Sequence, residues 1–414
     1  MTKNVENAAA LAGVRVLDLS RVLAGPWCTQ NLADLGAEVI KVERPGTGDD
    51  TRAWGPPWQP AYARDDQRDA AYFSIANRGK KSLALDIASA QGQAVVRELA
   101  RQSQIFVENF KVGDLARYGL DYESLKAVNP SLVYCSITGY GQSGPHAGKP
   151  GYDFVFQGIG GVMSVTGHRD GEPGSGPMRS GLSIVDVMTG MYATVAVLGA
   201  LRHAERTGAG QHLDISLLDC VVAAGANHVT NLIVTGEVPY RYGNAHPVMV
   251  PYNVFATADS HIVVAAGNDR QWKVYCDVIG RPELGSDPRF CKGSGRLENR
   301  GELVPILERQ MRTRSTADWV ERLEQAGIPC GPINDYQDVL NHPQVKYRQL
   351  QWAIARGDGT ECPTVRSPLR MSETPVAYTQ APPRLGEHTR EILREILGWP
   401  ENRVNAMAAD NPVD

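Results

Sequence analysis

A chain of 414 residues, 42% of them hydrophobic, holds enough apolar material for a large core and for two or three domains. Its 42 basic and 46 acidic residues leave a formal charge of −4. That bulk charge excludes the strongly basic profile of a nucleic-acid or anionic-membrane binder, although local basic clusters can still hold a small anion.

The segment "VRVLDLS" (14–20) has a short strand pattern, "PWCTQNLADLG" (26–36) a helical one with Pro26 near its start and Gly36 at its stop, and "AEVIKVE" (37–43) is a second strand. Strand, helix, strand at this spacing predicts a parallel crossover. The pattern recurs in "KKSLALDI" (80–87), the amphipathic "SAQGQAVVRELARQ" (88–101) and "SQIFVENF" (103–110). A short helix over 113–119, then the segment "DYESLKAVNP" (121–130) and the strand "LVYCSITGYG" (132–141) complete an α/β region with a mostly parallel sheet. A long apolar helix begins in "GLSIVDVMTGMYA" (181–193) and runs to Arg202. "AGQHLDISLLD" (209–219) is a strand and "CVVAAGANHVTNLIVTG" (220–236) a helix.

From about residue 240 the elements shorten. "YNVFATADSHIVVAAG" (252–267) predicts two strands, and 269–280, 300–313 and 315–327 predict small amphipathic helices. The expected division is a large domain over 1–229, a small α+β domain over 230–335, and a return over 336–414 that ends in the helix "GEHTREILREILGW" (386–399). The seven cysteines show no CxxC pair and no metal spacing, and their odd number argues against a secreted disulfide framework. "MTKNVENAAALAG" has no signal-like apolar core, and no apolar run reaches about 18 residues. The expectation is a soluble protein of a reducing cytoplasm, without a metal site.

An open parallel sheet binds ligands beyond its strand C-termini. The first such loop, "SRVLAGPW" (20–27), is not a GxGxxG fingerprint, and no GxxxxGK[ST] is present. Basic residues nonetheless crowd these ends, Arg21, Lys41, Arg44, Arg52, Arg78, Lys80 and Lys81 among them, with Arg117 further on. Such a set suits a phosphorylated ligand held by side chains, with Arg44 and Arg117 the leading candidates. Asp186 poses a separate question, because it lies among Ile184, Val185, Val187 and Met188. Two readings stand: an acid that accepts backbone N–H bonds at a helix start, or a reactive carboxylate in a dry pocket.

Several blocks, taken in order, carry a resemblance: "VLDLSRVLAGPWCTQNLADLGAEVIKVERPGTGDDTR", "NRGKKSLALD", "VENFKVGDLARYGLDYE", "YCSITGYGQSGP", "GYDFVFQGIGGVMSVTG" and "GLSIVDVMTGMYA". Together they resemble the class III coenzyme A transferases, the CaiB/BaiF family, over about 14–396. "GNAHP" and "PRLGEHT" are most similar to the branch acting on glutarate and other dicarboxylic acids. The resemblance implies a Rossmann-like large domain built from both chain ends, an inserted small domain, and two subunits interlocked as an obligate homodimer. It implies coenzyme A as a substrate rather than a permanently bound cofactor, and acyl-CoA and small carboxylic acids as partners.

Residue by residue, the resemblance assigns catalysis to Asp186, since "VDVMTG" matches the family's "GDSNTG"-like segment. It assigns coenzyme A contacts to Val22, Ala24, Arg44, Asn109 and Arg117. Tyr152 and Asp153 fill the places of the site tyrosine and its neighbouring acid. Arg21 and Leu23 replace the family's His and Gln, which weighs against oxalate. A site lysine matches imperfectly, with Pro150 in its column and Lys149 beside it. "YGNAHPVMVPY" (242–252) occupies the place of a glycine-rich lid. The implied reaction moves CoA from succinyl-CoA to a dicarboxylate through aspartyl anhydride and aspartyl thioester intermediates, glutarate being the first choice, with itaconate, malate or similar acids also fitting. Arg21, Arg52 and His246 are the expected partners of the distal carboxylate. A racemase of the same superfamily needs a histidine where Tyr152 stands, and a phenol with a pKa of about 10 is a poor base at neutral pH. A non-catalytic CoA-binding protein would not need Asp186, Asp153 and Asn109 together, and no GxSxG hydrolase motif occurs.

Overall fold

The computed structural model describes residues 9–62, 68–378 and 380–411. The chain forms two compact units. The larger takes residues up to Val162, Ser180–Gly236 and everything from Gln344 onward; the smaller takes Met163–Arg179 and Glu237–Pro343.

The larger unit is built on six parallel strands: β1 (Arg15–Asp18), β2 (Glu38–Glu43), β3 (Lys80–Ala84), β4 (Ile105–Glu108), β5 (Val133–Thr138) and β6 (His212–Ser216). Their order across the sheet is β3-β2-β1-β4-β5-β6. The first three strands step one way and the last three the other, so the strand order reverses between β1 and β4. Loops leaving the C-terminal ends of those two strands diverge and open a crevice, the usual ligand position in this class of sheet. The helices described are α1 (Ala24–Asp34), α2 (Ala71–Ser74), α3 (Ala90–Arg101), α4 (Tyr122–Val128), α5 (Asp153–Ile159), α6 (Val162–Val165), α7 (Ile184–Thr207), α8 (Leu217–Ala224) and α9 (Ala226–Thr235).

Both faces of the sheet are covered, which is why its strands read as nearly unbroken apolar runs. Val16, Val39, Val107 and Cys135 pack against Cys28 and Leu32 of α1 and Val185, Ala193 and Val197 of α7. Leu17, Ile40, Leu83 and Phe106 pack against Val95, Val96 and Leu99 of α3 and against Ile392, Leu393 and Trp399 from the end of the chain. Residues from both termini thus share one core. α7 is apolar and long enough to cross a membrane by length and composition, a length the sequence reading had cut short at Arg202. Here it is a core helix that packs along α1.

Three elements differ from the sequence reading. The helix expected over 220–236 is two helices, because Gly225 and Ala226, at a φ of 39°, turn the chain between α8 and α9. The terminal helix passes into a π-helical stretch at Ile392–Ile396, and a further helix, Glu401–Asp410, follows Pro400. The return segment contains an antiparallel hairpin, Gln351–Ala355 with Glu361–Val365.

The smaller unit joins a three-stranded antiparallel sheet, β7 (Tyr252–Ala256), β8 (His261–Ala265) and β9 (Cys330–Pro332), to helices that include Asp269–Val278, Arg300–Met311 and Thr316–Gln325. Trp272, Tyr275, Leu303, Leu307, Trp319 and Leu323 fill its core. Residues 163–179, which the sequence reading left in the large domain, belong to this compact unit. Met178 N donates to Thr166 O at 3.0 Å within that segment.

Candidate active site

The loop after β1 is held from beneath by buried side chains. Asp18 accepts from Ser20 N at 2.9 Å and from Lys80 Nζ at 3.0 Å. Lys41 Nζ donates to Ser20 O at 2.8 Å and pairs with Asp49 at 2.9 Å. Asn109, just past β4, accepts from Arg21 N at 2.9 Å and donates to Arg21 O at 2.7 Å. The sequence reading gave Asn109 to coenzyme A. The structure bonds both ends of its amide to the Arg21 main chain, which positions the loop, and Asn109 also lines the cavity that holds Asp186. Val22 N reaches the Asp49 carboxylate at 3.3 Å. Val22 itself sits at a φ of 70°, in the left-handed region. For a β-branched residue this is a strained conformation, costing on the order of 1–3 kcal/mol, and it persists only where surrounding contacts over-determine it. The chain then enters α1, whose first turn has no side-chain cap.

Asp186 is the third residue of α7. The helix start is capped by another acid: Asp153 Oδ1 accepts from Val185 N at 2.8 Å and from Asp186 N at 3.3 Å. Buried Gln157 fixes that cap, donating to Asp153 Oδ2 at 2.7 Å and to Leu182 O at 3.1 Å. Of the two readings left open for Asp186, capping therefore belongs to Asp153. The Asp186 carboxylate has no hydrogen bond or ion pair among the described residues. Burial, reinforced by the Asp153 charge, pushes its pKa up to about 7. The expected easing of its charge by helix amides is not what this geometry provides, because Asp153 has taken them.

Tyr72 of α2 lies in this neighbourhood and was missed in the sequence. Its hydroxyl bonds Ser183, burial raises its pKa, and the Asp186 and Asp153 carboxylates add to the rise. It meets Trp54 edge to face at 5.2 Å. The only sequence signal was an aromatic pair ahead of "NRGKKS", which does not by itself point to a site.

Asp186 lines a cavity of ≈ 250 Å³ together with Arg21, Val22, Leu23, Ala24 and Tyr152. Lys149 and Pro150, the two candidates for the unmatched lysine position, both line it, as does Lys111. Tyr152 is 63% exposed at the start of α5. A second cavity of ≈ 300 Å³ holds Arg44 and Arg117. The two share Arg21, Phe110 and Asp114 as walls, so one elongated ligand can lie across both. Arg44 is exposed, and Arg117 is 63% exposed with only a 3.5 Å contact to Asp114. Arg21 makes a half-exposed pair with Asp50 at 3.2 Å, a contact weak enough to yield to a substrate carboxylate.

Arg52 is not at that mouth. It is buried, pairs with Glu43 at 2.7 Å and Asp69 at 2.9 Å, donates to Pro383 O and lies 3.7 Å over the Phe73 ring. Its donors are committed to the fold, which corrects its reading as a substrate ligand. His246 lies in the smaller unit, where its N–H donates to Tyr252 O at 2.9 Å and its Nδ1 accepts from Val248 N at 3.2 Å.

The chain as a whole is similar to several known proteins. The family model described as CoA-transferase family III matches residues 11–389. A succinate–glutarate CoA-transferase of Agrobacterium fabrum is 44% identical over 396 residues, covering 96% of this chain and 98% of that protein. A succinyl-CoA:glutarate CoA-transferase of Mus musculus is 40% identical over 404 residues, covering 98% and 90%. The crystal structure of a CaiB/BaiF family protein from Brucella suis superposes with a TM-score of 0.82 at 42% identity, covering 94% of this chain and all of that one.

Proposed function

The chain belongs to CoA-transferase family III and is an enzyme of that class; from that premise we propose that it transfers coenzyme A from succinyl-CoA to a dicarboxylic acid, glutarate first, with Asp186 as the covalent residue. The carboxylate attacks the donor thioester carbonyl, and the C–S bond breaks to give an aspartyl–succinyl mixed anhydride and CoA thiolate. The thiolate attacks the aspartyl carbonyl, succinate departs with the bridging oxygen, and CoA is held as an aspartyl thioester. The acceptor carboxylate attacks the same carbonyl, expels the thiolate and forms a second anhydride. The thiolate then takes the acceptor's acyl group and Asp186 returns as a carboxylate. Acyl activation is conserved at every step, so no ATP is consumed.

The observation that carries this reading is the state of Asp186: a carboxylate in a cavity at a helix start, without a hydrogen-bond or ion-pair partner among the described residues, lifted to about 7. A carboxyl group so lifted is ionised in quantity at neutral pH and is more nucleophilic than an ordinary carboxylate. The uncapped amides that open α1 suit the oxyanion of each tetrahedral stage. Arg44 and Arg117, both exposed, suit the phosphates of CoA. Arg21 is the first candidate for the distal carboxylate. Glutarate stands first because relatives at 40–44% identity carry it in their names. A homodimer is part of the proposal, and exposed Val195, Ile233 and Val234 offer apolar surface for a second copy. The racemase alternative lacks its base, since Tyr152 stands in the histidine's place.

The test has two arms. Incubation with succinyl-CoA, trapping with hydroxylamine and peptide mapping should place the modification on Asp186; modification elsewhere, or full activity in a folded D186A variant, overturns the assignment. Succinyl-CoA assayed against oxalate, carnitine, butyrate, malonate, glutarate, adipate, malate and itaconate should favour glutarate. Strong preference for oxalate, carnitine or butyrate defeats the dicarboxylate reading.

A further inference from the structure

Five consecutive main-chain polar groups, from Ser20 N to Val22 N, are each tied to a side chain, that of nearby Asp18 for Ser20 N and those of Lys41, Asn109 and Asp49, 21 to 88 residues away, for the other four. Three of the four tethering side chains, Asp18, Lys41 and Asp49, are essentially inaccessible to solvent. Asp49 is the one whose chemistry exceeds its local need. One oxygen accepts from Thr51 N at 3.0 Å and Thr51 Oγ1 at 2.8 Å, an ordinary cap for the turn that follows. A neutral asparagine would do that as well. The structure instead buries a full charge and neutralises it with an equally buried lysine, an arrangement that generally gains little stability over a neutral one. Burial opposes the charge, yet Lys41 and the Thr51 amide hold the carboxyl down to about 2, so it is ionised at every working pH. The charged pair faces the turn at two points: Lys41 grips Ser20 O, and the Asp49 carboxylate meets Val22 N with both oxygens at 3.3 Å.

We propose that Asp49 is a positioning residue for the transfer reaction: anchored by Lys41, it holds the Val22 amide and so compels Val22 into the left-handed turn that sets the uncapped first turn of α1 in the wall of the Asp186 cavity. A valine does not enter that conformation unaided, whereas glycine does. The strain and the tether are thus two halves of one device. Without the tether Val22 relaxes towards negative φ, and Leu23 and Ala24, which line the cavity beside Asp186, leave their places.

The inference rests on the transferase reading for its rate measurement alone, and its test carries a second readout independent of that reading. The full-length wild type, D49N, V22G and D49N/V22G are compared. D49N is expected to lose roughly 10- to 100-fold in kcat, since small misplacements near reacting groups cost about this much. Its affinity for free CoA, by titration calorimetry, is expected to stay within about threefold. Adding V22G to D49N is expected to recover most of the lost kcat, because glycine takes the turn without being held. Hydrogen exchange followed by mass spectrometry should show peptides covering 19–24 protected in the wild type and fast in D49N. If D49N does not fold, K41M/D49N and K41M/D49N/V22G are compared instead; because K41M also removes the bond to Ser20 O, the recovery conferred by V22G, not the size of the loss, then decides. Wild-type kcat in D49N, a defect that V22G does not relieve, an equal loss in kcat and CoA affinity, or unchanged exchange each overturns the proposal. A wild type with no transferase activity counts against the functional reading, and the exchange measurement then decides the tether by itself.

Discussion

Replacing Asp186 by Asn should make the protein inactive and more stable, and the gain should depend on pH in a defined direction. Asn has nearly the shape of Asp but no charge, so the variant removes the cost of an ionised carboxylate in this cavity and little else. That group rises from an ordinary 3.8 to about 7 on folding, through burial first and the Asp153 charge second. A rise of about three units at 1.36 kcal/mol each amounts to about 4 kcal/mol. A raised carboxyl favours the folded state only while protonated: its contribution is fully present below the unfolded pKa and is lost as pH climbs through about 7. At pH 8 the wild type bears the whole penalty, so D186N should gain up to about 4 kcal/mol. At pH 5 the folded carboxyl is protonated while the unfolded one is mostly ionised, and the gain shrinks to about 2 kcal/mol. Water reaching the cavity lowers both values without changing their order. Urea unfolding of both proteins at pH 5 and pH 8, at one protein concentration, reads the difference directly. A D186N variant no more stable than the wild type at pH 8, or with an advantage that does not fall on going to pH 5, refutes the account of Asp186 as a desolvated, uncompensated acid.

The same geometry yields three further expectations. D153N keeps an acceptor for the start of α7 but removes the charge that raises Asp186, so the acidic limb of the kcat/KM profile should move to lower pH; an unmoved midpoint contradicts the coupling. R52M should cost about 3–5 kcal/mol in urea unfolding by taking the ion-pair partner from buried Glu43 and from half-buried Asp69, whereas an acceptor KM effect without stability loss would return Arg52 to substrate binding. R44A and R117A should weaken free CoA and every acyl-CoA by similar factors in titration calorimetry, and an effect limited to one acyl donor would contradict a role at the CoA phosphates.

The family was legible through the resemblance of ordered motif blocks, and the elements were legible for a local reason. The apolar runs of β1, β2 and β4, the amphipathic spacing of α3 and the acid set in the apolar start of α7 are all encoded within a few residues of themselves, and periodicity reads such spans directly. Asp186 therefore stood out in the sequence, as did Arg44 and Arg117, and the structure places all three in the walls of cavities. What the spacing left undecided was the partner of each polar group. Asp153 caps α7 from 32 residues away, and Asn109 clamps Arg21 from 88. Arg52 stands in the same charged loop as Arg44, and only the packing of Glu43 and Asp69 around it makes one internal and leaves the other exposed. Tyr72 joins the site because α2 is brought beside the start of α7, which no run of neighbouring residues foretells. Secondary structure follows from interactions between near neighbours along the chain; the protonation of Asp186, the commitment of Asn109 and the strain at Val22 follow from the strand order that places β1 beside β4, and exist only once the sheet is assembled.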